Sequence, residues 1–290
     1  MKEYFYGWYF KCQSKENGLA IIPALHKSKD TKSSSVQIIT SDGVYNANFP
    51  YEAFSKRRGG FGVNVKDNRF FSEGIELDIQ DSDFNAVGTL KFGELSPIKY
   101  DIMGPFKFVP FMECRHSVAS MKHTVSGELK INGTSYSFDN DVGYIEGDRG
   151  SSFPREYAWT HCFFEGGSVM LSVARIPFGL FSFTGIIGVI MLGNKEYRIA
   201  TYLGAKILKI EDGEIIIKQG KKVLKVKLIE KNARPLFAPN GGKMTRTIHE
   251  SLFCSASYTF KIKEKTVFSF ESNKASFEYE FPKDFSKKRK

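Results

Sequence analysis

The chain has 290 residues, of which 41% are hydrophobic, 26% charged and 14% aromatic, with 27 Phe and 13 Tyr. That length supports a sizeable core in one large or two ordinary domains, and the mix excludes disordered, collagen-like and coiled-coil chains. An excess of 42 Lys and Arg over 32 Asp and Glu gives a net charge of +10, which favours anionic surfaces without naming a partner.

The opening residues Met1 to Trp8 hold charges but no uninterrupted apolar run and no small-residue cleavage site, so a secretory leader is not expected. Cys12, Cys114, Cys162 and Cys254 are too dispersed for a zinc site or a disulfide framework. They read as four reduced thiols in a cytoplasmic protein, with no metal and no cofactor expected. Val63 and Val65 lead through Lys66-Asp67-Asn68 to Phe70, a hairpin pattern. In Gly74 to Gln80, Ile75, Leu77 and Ile79 alternate with polar residues and share one face of a strand. Leu129 and Ile131 lead through the Asn132-Gly133 turn to Tyr136 and Phe138, a second hairpin.

Ile176 to Leu192 is uncharged and of borderline length for a membrane span. Pro177, Gly179, Gly185 and Gly188 argue against a helix, and Gly193-Asn194 is a good hairpin turn, so buried strands are expected, with a membrane-touching lip as the alternative. Further on, Ile215 to Lys218 pairs with Val223 to Ile229 across Gln219 to Lys222. Tyr258, Phe260 and Ile262 alternate up to a turn at Glu264-Lys265, and Phe277, Tyr279 and Phe281 close the pattern. Lys287 to Lys290 reads as a solvated basic tail.

No segment of a dozen residues shows a capped helical stripe, so the chain is expected to be all-β, as two antiparallel barrels or sandwiches in tandem. A weak echo between Trp8-Tyr9-Phe10-Lys11-Cys12 and Tyr157-Ala158-Trp159-Thr160-His161-Cys162 supports duplication. The halves are expected at 1–130 and 131–290, with a soft boundary and the two packed as one unit. There is no nucleotide-binding G-x-x-x-x-G-K-[ST] and no G-x-S-x-G. His249-Glu250 lacks the second His of a zinc protease helix. Basic residues alternate on strand faces as solvated surfaces do, so nucleic acid is not an expected partner.

The densest chemistry lies in Gly143 to Cys162, where acids, Arg149, hydroxyls and aromatics crowd twenty residues that open on Gly143-Tyr144-Ile145-Glu146-Gly147-Asp148. This run resembles the tocopherol cyclase family, whose pattern combines a Tyr-x-Glu element, a Gly, a Phe-Pro pair and a Trp followed two positions later by Gln. Tyr4 to Lys11 resembles the family's opening Gly-Trp-Tyr-Phe segment, and Ala238 to Leu252 its closing one. The resemblance implies two lipocalin-like β-barrel halves. It also implies cofactor-free, acid-catalysed cyclisation of a prenylated quinol: an alkene is protonated and a phenolic oxygen closes on the cation to form a chromanol ring.

Alkene protonation needs an acid that stays protonated, which a carboxyl in an apolar pocket supplies because burial raises its pKa. Glu146 matches the family's Glu and is the first candidate, with Asp148 second. Tyr144 or His161 would orient the phenol or take its proton. Trp159, Tyr157 and Trp8 would face the cation, and Arg149 and Phe153 complete the expected substrate-binding set. Each has a plainer alternative: core packing for the Trp and Tyr residues, a loop ion pair between Glu146 and Arg149, an interior histidine, a turn at Phe153-Pro154. The run departs from the family pattern at Asp148-Arg149 where Asn-Trp is expected, at His161 where Gln is expected, and at Tyr6 where an acid is expected. Two other readings stay open, a non-catalytic carrier of a hydrophobic ligand and another cyclase or isomerase on the same scaffold. The expected partner is a hydrophobic small molecule, with peripheral membrane contact to collect it.

Overall fold

A computed structural model describes residues 3–58, 61–110, 112–178, 181–230 and 234–282. Gly59, Gly60, Gly179, Leu180 and the basic tail lie outside them. The described chain is β throughout, with three short 3-10 turns.

The chain divides into two compact units. The first holds Met1–Ile98, Glu113–Phe153 and Phe237–Thr247, and the second holds Lys99–Met112, Pro154–Leu236 and Ile248–Lys290. The first unit is built on β1 (Tyr4–Gln13), β2 (Gly18–Lys27), β3 (Lys32–Thr40), β4 (Val44–Phe49), β5 (Phe54–Lys56), β6 (Gly62–Val65), β7 (Asn68–Phe71), β8 (Gly74–Gln80), β9 (Asn85–Phe92), β10 (Cys114–Ile131) and β11 (Thr134–Gly150). They form one antiparallel sheet in the order β4-β3-β2-β1-β11-β10-β9-β8-β7-β6-β5. The sheet rolls up so that β6 packs across against β2 and β3.

The second sheet uses β12 (Tyr157–Phe164), β13 (Gly167–Phe178), β14 (Phe181–Leu192), β15 (Lys195–Ala200), β16 (Lys206–Glu211), β17 (Glu214–Gln219), β18 (Lys222–Glu230), β19 (Arg234–Asn240), β20 (Lys243–Ile262) and β21 (Lys265–Tyr279). Its order is β15-β14-β13-β12-β21-β20-β18-β17-β16, with β19 on β20. Each unit thus starts with a four-strand meander, and its last strand returns to pair with its first. β1 and β12, which carry the echoed Trp segments, hold the same place in the two sheets.

The two-residue period explains the strands. In β8, Ile75, Leu77 and Ile79 are buried while Glu76, Asp78 and Gln80 face solvent, and in β18 Leu224 and Val226 point inward between exposed Lys225 and Lys227. The first core gathers Phe10, Ile21, Ile38, Phe70, Ile75 and Ile145; the second gathers Val173, Ile190, Ile215, Val226, Phe260 and Phe277. Burial of each such side chain contributes about 1.5–3 kcal/mol. The Asn132-Gly133 turn joins β10 to β11 with φ of 47° and 83°, the doubly left-handed turn that matches strand twist. Ile176–Phe178 and Phe181–Leu192 lie in β13 and β14, strands as expected, buried around Ile186, Val189 and Ile190 but exposed at Pro177 and Ser182. The β20–β21 turn sits at Lys263-Glu264, one residue before the expected place, because Lys263 takes the left-handed conformation at φ 56°.

The soft boundary expected near residue 130 falls inside the β10–β11 hairpin, because β11 must run back along β1 to complete the first sheet. The chain leaves the first unit after Phe153. Within the second unit, the excursion Lys99–Met112 is tied down by buried Arg198. This side chain pairs with Glu196 at 2.6 Å, donates to the carbonyls of Tyr100 and Asp101, and lies 3.5 Å over the Tyr100 ring.

Phe10 is fully buried against Phe61, Phe70 and Phe92. Phe10→Ala is expected to destabilise the first unit by about 3–5 kcal/mol in chemical denaturation; a loss under about 1 kcal/mol contradicts this placement of the core.

Candidate functional site: a carboxylate–imidazole cluster on β10 and β11

On β11, Tyr144, Glu146 and Asp148 are spaced by two and share one face, while Ile145, Gly147 and Arg149 share the other. Ile145 belongs to the first core, so the acids stand on the face turned away from it. Glu146 is nonetheless only 5% exposed and Tyr144 fully buried. The neighbouring strands supply the rest of the face. Tyr9 lies opposite Glu146 and the fully buried Lys11 opposite Tyr144 on β1, and His116 lies opposite Asp148 on β10.

The contacts are short. Tyr144 Oη donates to Glu146 Oε2 at 2.5 Å. His116 bridges the two acids, with Nδ1 3.0 Å from Asp148 Oδ1 and Nε2 3.1 Å from Glu146 Oε2. Cys114 Sγ approaches Asp148 Oδ1 at 3.3 Å. Burial opposes a charge on His116, but the Asp148 and Glu146 carboxylates outweigh it and hold the imidazole pKa well above its usual 6.5. Burial first, then the Glu146 carboxylate, pushes the Tyr144 phenol up, and burial with Asp148 does the same to the Cys114 thiol. All three groups keep their protons at neutral pH.

His116, Glu146 and Asp148 offer ligand atoms within 4.8 Å of one another, close enough to surround a cation. Both imidazole nitrogens, however, face carboxylate oxygens. A metal takes one nitrogen in its unprotonated form, whereas a ring with Nδ1 hydrogen-bonded to one carboxylate and Nε2 in ion-pair contact with a second, outside hydrogen-bond geometry, suits a protonated imidazole. The donor set fits a bound proton better than a metal ion. The protonated His116 thus joins buried Glu146 to Asp148, whose side chain is 22% exposed to solvent.

The residues singled out in the sequence divide into four places. Tyr144, Glu146 and Asp148 come together here. Glu146 does not sit in the apolar pocket that was expected; its neighbours are a phenol and an imidazolium. Trp8 and Arg149 stand on the opposite face of the same strands, with Trp8 across from Gly147 and Arg149 across from Tyr6. An odd spacing from Glu146 puts Arg149 there, so no Glu146–Arg149 ion pair forms and the Arg149 charge does not share the acids' face. Phe153 packs edge-on against Phe5 at 5.5 Å.

Tyr157, Trp159 and His161 belong to β12 in the second unit. There Tyr157 Oη donates to buried Glu278, which lies opposite Glu250 on β20, also buried, and His161 is buried edge-on to Phe163. On the other face of β12, Thr160 and Tyr258 share a hydroxyl hydrogen bond at 2.5 Å.

His116 and Cys114 carried no readable signal. Counted back from the Asn132-Gly133 turn without irregularity, Ser117 would face Asp148. Register shifts between Val118 and Ser120, Ser120 and His123, and Val125 and Gly127 bring His116 there instead.

Two-dimensional NMR is expected to show His116 charged from about pH 5 to 8. Buried His26 and His123, beside Ser35 and Ser120, are pushed down to about 4 and stay neutral over that range. Because the His116 pKa is raised on folding, its contribution to stability is complete below about 6.5 and is lost only as pH climbs through the raised value. His26 and His123 act in the opposite sense and withdraw stability as pH falls from about 6.5 toward 4. A His116 midpoint at or below its ordinary value refutes the bridging geometry.

By sequence, the chain matches no family model and no curated protein. By structure, it is similar to CghA with Sch210972, at a TM-score of 0.63 and 8% identity over 97% of this chain and 89% of that one. It is also similar to kievitone hydratase from Nectria haematococca, at 0.54 and 9% over 96% and 89%, and to a putative AttH from Nitrosomonas europaea, at 0.52 and 11% over 97% and 93%. At such identities the likeness is one of fold, and it extends over nearly the whole chain.

Proposed function

We propose that the chain is an enzyme of cofactor-free acid–base chemistry, a cyclase that closes a hydrophobic prenylated quinol to a chromanol-type ring. The observation that carries this reading is Glu146, a buried carboxyl held between the Tyr144 hydroxyl and the His116 imidazole. It stands at the position that the resemblance to tocopherol cyclases gives to the acid. In the proposed cycle, Glu146 is first loaded with a proton through His116 and delivers it to a side-chain alkene, forming a C–H bond and a tertiary cation. The phenolic oxygen then forms the C–O bond and its proton returns to the cluster. Nothing is oxidised or reduced, and the product is an isomer of the substrate.

The roles follow from the contacts. Tyr144 and His116 place two hydrogen-bearing groups against the carboxylate that remains when the proton departs, which favours the charge-separated transition state. Asp148, more exposed than Glu146 and joined to it through His116, reloads the acid from solvent. Kievitone hydratase, similar in fold, is by its name a hydratase, an enzyme that adds water across a double bond, and this supports chemistry at a double bond for the present chain.

Incubation with dimethyl-phytyl-benzoquinol is expected to yield a chromanol by chromatography. Glu146→Gln is expected to lower turnover by about 10²–10⁴-fold while ligand affinity stays within a few-fold. A ligand returned unchanged by the wild-type protein, with affinity indifferent to Glu146→Gln, identifies a carrier instead.

The net charge of +10 and the uncharged Ile176 to Leu192 stretch support collection of the substrate at a cytoplasmic membrane surface. Among the described residues, no helix is long and apolar enough to cross a bilayer. Co-sedimentation with vesicles containing anionic lipid, but not with zwitterionic ones, is expected; failure with anionic vesicles removes the membrane from the proposal.

A further inference from the structure

The face of β11 opposite the acid cluster carries a different chemistry. Arg149 lies directly across from Arg115 on β10 and from Tyr6 on β1. Lys56 Nζ stands 3.6 Å over the Tyr6 ring, and its pKa is lowered by burial and then by the Arg149 charge. Like charges directly across an antiparallel pair are destabilising. Among the described residues, no carboxylate lies within ion-pair distance of Lys56 or Arg149.

Next to these cations is an aromatic wall. Trp8 Nε1 donates to Tyr6 Oη at 2.9 Å, Trp8 meets Phe61 edge-on at 4.4 Å, and Tyr6 meets Phe54 at 6.0 Å. These four rings are half-buried, whereas Phe10, one step further along the same face of β1, is fully buried. Gly147 leaves room for the indole, since a Cβ there would come 2.6 Å from Trp8 Cε3. The first barrel thus ends in a rim where partly exposed aromatic surface meets the Lys56 and Arg149 charges.

We propose that this rim binds a hydrophobic carboxylate, with its head group on Lys56 and Arg149 and its tail along Trp8 and Phe61. An incoming anion relieves the repulsion between Arg149 and Lys56, and the rings cover the apolar portion. The site is separate from the acid cluster, and its test uses no turnover.

Because the chain has 2 Trp, Trp159→Phe leaves Trp8 as the sole tryptophan reporter. In that background, dodecanoate is expected to shift Trp8 emission and to bind about tenfold more tightly than dodecanol. Arg149→Glu is expected to erase that preference while dodecanol affinity stays unchanged. Lys91→Glu, the same charge change at an exposed β9 position, is expected to keep it. Without ligand, Arg149→Thr is expected to raise the melting temperature by relieving the repulsion. No binding of dodecanoate, equal binding of acid and alcohol, or equal losses in Arg149→Glu and Lys91→Glu overturns the proposal. So does a lower melting temperature in Arg149→Thr.

Discussion

The pairing of the last strand of each unit with its first is the constraint from which the rest follows. In the first unit, β11 runs antiparallel to β1 from Phe5 opposite Gly150 to Gln13 opposite Val142. In the second, β21 runs along β12. This pairing joins residues far apart in the chain and sets both faces of the central strands at once. In the first unit it also collects separate segments of sequence. β1 holds the opening segment and β11 the start of the middle one. The hairpin between β19 and β20 brings Gly241 and Gly242 to Ser151 and Ser152 through backbone donors. Gly242 is held at φ 73° where a Cβ would meet the Lys27 carbonyl oxygen at 1.9 Å, so the closing segment needs glycine at that contact.

Strict alternation along β11 then gives one strand two chemistries. Tyr144, Glu146 and Asp148 form a polar row against His116, while Ile145, Gly147 and Arg149 run from the barrel core to its rim. The separation has a physical advantage. A guanidinium beside the acids would compete with His116 for their negative charge. With Arg149 on the opposite face, both groups coexist four residues apart or less in sequence without sharing an environment.

The two units repeat this logic with different residues. Each pairs a buried tyrosine hydroxyl with a buried glutamate on its returning strand, Tyr144 with Glu146 and Tyr157 with Glu278. Beside these pairs the units diverge, for His116 stands opposite Asp148 in the first and Glu250 opposite Glu278 in the second. The shared topology accounts for the faint echo between the Trp8 and Trp159 segments, since β1 and β12 meet the same packing demands in the two sheets.

The sequence by itself determined the all-β class, the tandem halves, most hairpins and the shared face of Tyr144, Glu146 and Asp148. Alternation in β8 and β18 and the turn chemistry of Asn132-Gly133 act over a few residues, so they can be read without knowing what packs where. Tyr144, Glu146 and Asp148 were legible as one row for the same reason. Tertiary structure alone decided what faces that row. His116 reaches Asp148 only because irregularities in β10 change its register, and a shift of one residue reverses the face of every side chain beyond it. It also decided that Trp8 and Arg149 belong to the rim, because the sides of β1 and β11 are assigned by which face the first core occupies. Local periodicity says which residues travel together; only the packed sheet says toward what.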